Sequence, residues 1–319
     1  MTSRGWILLK VLVTLSMMAV LLHYIEFAAV LEALKKVSLA HAGLAMLLIM
    51  GTVPVFALRW LRVAQLGDMP MARRRALLVT TKTYFFNQVL PATVGGDAYR
   101  TVAMVKDGHA LPDAVVCIGV DRFAGIAVLL GLALLAYPFI LTAQLPDLAG
   151  IQAALVALVL AGILLSVILL PRLYRSIERR EWSQRFVRVW QRYSSSGRWL
   201  DVFVVAGWSI VGHLLIGLSV WVLAKGLALP FDLTALLFAF PPAYLASMLP
   251  ASLGGWGVRE GVMVSALVLL GGSASDALVL SVTFGLVMLA VGLAAGLVIL
   301  FDSMRRALRS SVAAATDSL

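Results

Sequence analysis

The sequence predicts an all-α integral membrane bundle of six full spans plus two re-entrant helical hairpins in an inverted-topology repeat, and three observations carry that reading. Hydrophobic residues make up 61% of the 319 residues and charged residues only 13%, with a mean hydropathy of +0.97, whereas a soluble domain is about 45 to 50% apolar. The apolar runs are long and continuous, as at 11–22, 39–58 and 124–135, unlike the two-residue alternation of a barrel strand. A proline- and glycine-rich break occurs twice, once in each half of the chain.

Segments long enough to cross a hydrocarbon core of about 30 Å lie near 6–24, 39–60, 114–141, 150–170, 200–224 and 274–301. The first, with Arg4 and Lys10 at its start, continues into His23, Tyr24, Ile25 and Glu26 without a small-x-small cleavage site, so it is expected to be retained as a span. Two further segments, 76–90 and 233–249, reach only about 22 to 26 Å as helix before running into the breaks. They are expected to be half-helices, the second shortened or kinked by Pro241 and Pro242.

Arginine placement orients the bundle. Arg59, Arg62, Arg73, Arg74 and Arg75 fall in one loop, eight arginines between Arg172 and Arg198 in another, and Arg305, Arg306 and Arg309 follow the last span. These loops are expected on the cytoplasmic side, with both termini, while the loops at 144–147 and 225–232, nearly free of positive charge, face outside. The count closes only if the short segments turn back. The first repeat is then 1–143 with hairpin 76–110, and the second is 148–302 with hairpin 233–272 and a basic cytoplasmic connector at 172–199. The net charge of +10 is explained by these loops near an anionic leaflet, and nucleic acid is not expected as a partner.

The two breaks read Leu90-Pro91-Ala92-Thr93-Val94-Gly95-Gly96 and Leu249-Pro250-Ala251-Ser252-Leu253-Gly254-Gly255. They are 159 residues apart, and the same offset carries Arg100 onto Arg259. Span, span, hairpin, span is an odd number of crossings, so the second copy must be inverted, an arrangement typical of transporters with a site near the bilayer midplane. Proline ends the incoming half-helix, glycine permits close backbone approach, and the outgoing half-helix offers N–H groups at its positive end. An anion fits there, gripped by Arg100 and Arg259. The alternative is a tight turn in which Asp97 caps its helix and pairs with Arg100; in the second copy Trp256 replaces Asp97 and Glu260 neighbours the arginine.

Asn87, the 90–100 motif with Gly95, Gly96 and Asp97, the Asp121-Arg122 pair, and 250–260 with Pro250, Gly254, Gly255, Gly257 and Arg259 together resemble the lysylphosphatidylglycerol synthase transmembrane-domain family, also described as flippase-like. The resemblance covers nearly the whole chain. It implies a plasma-membrane domain of the bacterial inner-membrane type that moves a phospholipid or lipid-linked head group between leaflets, with an anionic lipid as partner and no cofactor. The soluble aminoacyl-transferase domain of bifunctional members has no counterpart here, so synthase activity is expected to be absent.

Asp121 and Arg122 lie about two turns into a span, where a bare charge costs about 2.5 to 3.5 kcal/mol, so each needs a partner: Arg100 or Arg259 for Asp121, a carboxylate for Arg122. A structural ion-pair network and a direct substrate role both fit them. Lys82 and His213 are further intramembrane ionisable groups; His213 suits hydrogen-bonded packing or a proton-coupled step. Gly285, Gly292 and Gly296 mark close helix packing, and Cys117, the only cysteine, a small buried hydrophobe. Two other function classes remain open: a membrane-embedded transferase acting on a lipid phosphate, for which Ser252 lacks an evident base and no metal-ligand cluster exists, and a transporter of a small soluble anion.

Overall fold

The computed structural model describes residues 37–89, 94–135, 191–193, 199–248 and 255–316. All regular structure among them is helical. In chain order the helices are α1 (Leu39–Leu66), α2 (Arg73–Val89), α3 (Val94–Lys106), α4 (Leu111–Leu135), α5 (Trp199–Gly226), α6 (Leu233–Ser247), α7 (Val258–Leu269) and α8 (Ala274–Thr316). Among the described residues, four helical segments are long and apolar enough to cross a membrane: α1, α4, α5 and the part of α8 from Ala274 to Phe301. The spans expected near 6–24 and 150–170, and the connector except for 191–193 and the start of α5 at Trp199, lie outside the described residues.

The observed boundaries depart from expectation where polar groups find partners. α1 does not stop at residue 60 but runs on past Arg59 and Arg62 to Leu66, because Arg59 is buried against Asp121 and Arg62 reaches Asp201 of α5. The turn after α1 closes with N–H groups of Gly67, Asp68 and Met69 donating back to carbonyls of Val63, Ala64 and Gln65. Pro241 and Pro242 do not interrupt α6, which is continuous for 15 residues. Its start is fixed by the Asp232 carboxylate accepting from the Ala235 N–H at 2.7 Å. Its middle is held by Leu237 and Phe240 packed on Gly217 of α5 and by Phe240 against Tyr244 and Phe284.

α1 and α5 form the spine. The Ser38 N–H donates to the Gly226 carbonyl, Gly51 faces Leu215, Gly212 faces Phe56, Arg59 reaches Ser209 and Arg62 reaches Asp201. Residue numbers rise along one helix as they fall along the other, so the two are antiparallel along their whole length. The remaining helices are placed around this seam in matched pairs. α2 packs on α1 as α6 does on α5, α2 on α3 as α6 on α7, α3 on α4 as α7 on α8, and, across the halves, α2 on α8 as α6 on α4. The α8 glycines provide close packing: Gly292 lies against Tyr84 and Gln88 of α2 and Gly296 against Phe85.

Each break ends in a glycine in tight contact with the incoming helix. A Cβ on Gly96 would overlap Asn87 and Thr83, and one on Gly255 would strike Ser247, including its backbone. Gly255 also has φ +77, a conformation costly for any residue with a Cβ. Gly255→Ala is therefore expected to lower stability by about 1 to 3 kcal/mol, while Gly261→Ala, whose added methyl meets nothing, leaves it unchanged or raises it slightly. Thermal unfolding in detergent, followed by far-UV circular dichroism, separates the two.

Candidate functional site

The site begins with one carboxylate. Asp121, in α4, is 1% exposed. An ion stripped of water to that degree is held only by strong partners, and it has two. Arg59 of α1 approaches it in two-pronged fashion, Nε to Oδ1 at 2.8 Å and Nη2 to Oδ2 at 3.0 Å, and Arg100 of α3 adds Nη2 to Oδ2 at 2.9 Å. Each guanidinium also lies over an aromatic face: Arg59 over Phe56 at 4.8 Å and Arg100 over Trp60 at 4.4 Å. Gly125, one turn beyond Asp121, leaves room for Arg59; a side chain there would meet its Nη1.

A second carboxylate extends the chain of charges. Asp97, in the first turn of α3, accepts from Arg122 Nε at 2.5 Å through Oδ2, and its Oδ1 lies 3.7 Å from Arg100 Nη1. It does not cap α3, which begins at Val94; the Gly96 N–H instead donates to the Asn87 side-chain oxygen at 3.0 Å. That donor, expected to face an anion, is thus used to tie α3 to the end of α2.

These groups line one cavity of about 110 Å³, shared by Thr80 and Thr83 of α2, His213 of α5, and Tyr244 and Met248 at the end of α6. The cavity therefore lies where the ends of the two short incoming helices, α2 and α6, converge. Three guanidiniums and two carboxylates leave it with one net positive charge. Four buried polar atoms of its lining have no hydrogen-bond partner: Thr80 Oγ1, Asp97 Oδ1, Arg100 Nε and His213 Nδ1. His213 Nε2 faces the Gly125 carbonyl at 3.0 Å; a carbonyl only accepts, so Nε2 carries the proton.

The second break is arranged differently. Arg259 and Glu260, both in the first turn of α7, are buried. Arg259 Nε donates to Glu260 Oε1 at 3.1 Å, and Nη2 reaches the same oxygen. The other carboxylate oxygen accepts from the Gly257 N–H at 2.6 Å. Trp256 and Phe284 flank the guanidinium at 5.0 and 5.4 Å, and Gly285 lies directly against it. Arg259 and Glu260 do not line the cavity, so the second guanidinium beside Arg100 is Arg59, with Arg122 beyond Asp97.

A family model described as lysylphosphatidylglycerol synthase TM region matches residues 7–296. The chain belongs to that family. No curated protein matches it. Of the expected site residues, the structure brings together Asn87, Gly96, Asp97, Arg100, Asp121 and Arg122. Gly95 is buried in the first turn of α3; Gly255, Arg259 and Glu260 form a separate cluster. Pro91, Pro250, Ser252 and Gly254 lie outside the described residues. Lys82 is buried in α2 but is not in the cavity lining.

Sequence reasoning placed Arg59 in a loop. The signal that it is internal was the apolar run resuming beyond it at Leu61, Val63 and Ala64. Asp121→Asn would leave Arg59 buried without its carboxylate and Arg100 with only the longer contact to Asp97, and is expected to cost about 3 to 5 kcal/mol. Combining it with Arg59→Gln is expected to recover part of that loss, a coupling readable in a double-mutant cycle of detergent unfolding.

Proposed function

We propose that the protein moves a phospholipid or lipid-linked head group across the membrane, its phosphate seated in the cavity between α2 and α6 and its acyl chains left in the bilayer. The observation that carries this reading is the cavity's single net positive charge, enclosed among apolar helices. A phosphodiester bears one negative charge, so its entry neutralises the site. The partnerless Arg100 Nε supplies a donor for a phosphate oxygen, with Arg122 beside it at the Asp97 end of the ion-pair chain. Asp97 Oδ1 and His213 Nδ1 supply acceptors for hydroxyl or amine groups further along the head group.

Internal symmetry supports an inverted repeat. Under the offset read from the two breaks, α1 falls on α5, α2 on α6 and α3 on α7. Equivalent helices α1 and α5 run antiparallel, which for two membrane spans requires a pseudo-two-fold axis lying in the membrane plane. The arrangement proposed on this basis has six spans, with hairpins α2–α3 and α6–α7 entering from opposite faces and both termini inside a bacterial-type plasma membrane. Arg73, Arg74 and Arg75 at the start of α2 support a cytoplasmic entry for the first hairpin. In this reading the protein is a carrier and catalyses no group transfer.

Two measurements test it. In proteoliposomes carrying a fluorescent phosphatidylglycerol, Arg100→Lys and Arg122→Gln are each expected to slow transbilayer movement about ten- to hundredfold, from a lost charged hydrogen bond worth about 1.5 to 3 kcal/mol. The lipid-facing Leu297→Ala keeps the parent rate. Parent rates in both arginine variants would reject the site, and uptake of inorganic phosphate in place of lipid would favour a carrier of soluble anions. In a Cys117→Ala background, single cysteines at Lys106 and Ser273 are expected to react with an impermeant maleimide from opposite sides; labelling from one side would reject the inversion.

A further inference from the structure

A second concave site lies on the outside of the α1–α5 seam. It is a groove of about 220 Å³ walled by Leu58, Leu61, Val204 and Trp208, with Arg62, Gln65 and Arg73 along its polar edge. None of these residues lines the internal cavity. We propose that this groove binds an anionic phospholipid of the adjacent leaflet as a resident ligand, distinct from the lipid carried through the cavity.

The walls and the edge call for different parts of one molecule. Leu58, Leu61 and Val204 offer an apolar slot, and the neighbouring α5 surface is strongly exposed and apolar, with Leu200 80% and Phe203 70% accessible, so the slot opens towards acyl chains. The polar edge coincides with the arginine-rich ends of α1 and α2. Arg62 gives Nη1 to Gln65 Oε1 at 3.2 Å and Nη2 to Asp201, while its Nε is buried with no partner. Arg73 stands across the groove at the first residue of α2. One carboxylate against two guanidiniums leaves one positive charge, again the complement of a phosphodiester. Trp208, an amphipathic ring, lines the same groove, as indoles do where acyl chains meet head groups. A zwitterionic lipid would bring its own cation to this edge and lose the charge match, so the preference is for a net anionic head group.

Trp208 makes the test direct. The protein is placed in phosphatidylcholine nanodiscs containing a small, equal fraction of either brominated phosphatidylglycerol or brominated phosphatidylcholine, and the quenching due to Trp208 is taken as the difference between the parent and Trp208→Phe. Brominated phosphatidylglycerol is expected to occupy the groove about fivefold more strongly, the preference one basic side chain confers on an anionic lipid. Arg73→Gln, which leaves the Arg62–Asp201 pair intact, should abolish most of that preference, and Arg62→Gln/Arg73→Gln all of it. Arg122→Gln, one of the variants of the transport test, should leave it unchanged, so failure of the transport reading and failure of this one are separable. Equal quenching by the two lipids, a preference that survives in the double variant, or loss of all Trp208 quenching because a second copy covers the groove would each overturn the proposal.

Discussion

The arrangement of the first half depends on the Asp121 carboxylate and the two guanidiniums that share it. Asp121 belongs to α4, Arg59 to α1 and Arg100 to α3, so one buried anion ties the consecutive helices α3 and α4 to α1, 62 residues earlier in the chain. In an apolar interior such an anion is tolerable only while both partners stay in place, which makes the relative positions of these helices a matter of charge balance as well as packing. The aromatic faces of Phe56 and Trp60 behind the guanidiniums keep the arginines aligned on it. The leftover positive charge and the partnerless polar atoms then follow from the same arrangement, because the third arginine, Arg122, has to share Asp97 with Arg100.

The two halves keep one architecture and differ in chemistry. Both set an arginine in the outgoing short helix, and both press a glycine from the break against the incoming one. In the first half, acids at positions 97 and 121 open a charged cavity. The offset that aligns the breaks puts Trp256 and Leu280 in their places, and the second arginine is closed off by its neighbour Glu260 and by Trp256 and Phe284. Among the described residues, matched helix pairs thus carry a polar cavity on the first arginine and a filled counterpart around the second.

Much of this was legible in the sequence, because the signals were periodic or repeated. Long apolar runs located the four spans among the described residues, two near-identical heptapeptides marked the short helices, and an ionisable pair in a span, Asp121-Arg122, demanded partners. Arg100 for Asp121 was within reach of that reasoning; Arg59 was not, since an arginine near a span end reads as a loop marker until its carboxylate is located in three dimensions. Pro241-Pro242 misled for a related reason. A proline pair argues against helix locally, whereas α6 is sustained by its packing on α5 and by the aromatic contacts of Phe240. The pairing of Arg259 with Glu260 rather than with the cavity likewise depends on the orientation of side chains at the start of α7, which residue spacing does not encode.

The antiparallel seam of α1 and α5 is fastened at both ends, by Ser38 to Gly226 and by Arg62 to Asp201, and is tightly interlocked in the middle where Gly212 receives Phe56. Backbone, ion-pair and glycine contacts together oppose its sliding. Any rocking that turned the cavity from one face of the bilayer to the other, as the proposed transport requires, would take this seam as its fulcrum, with the short helices of the two halves swinging as arms on either side of a stationary beam.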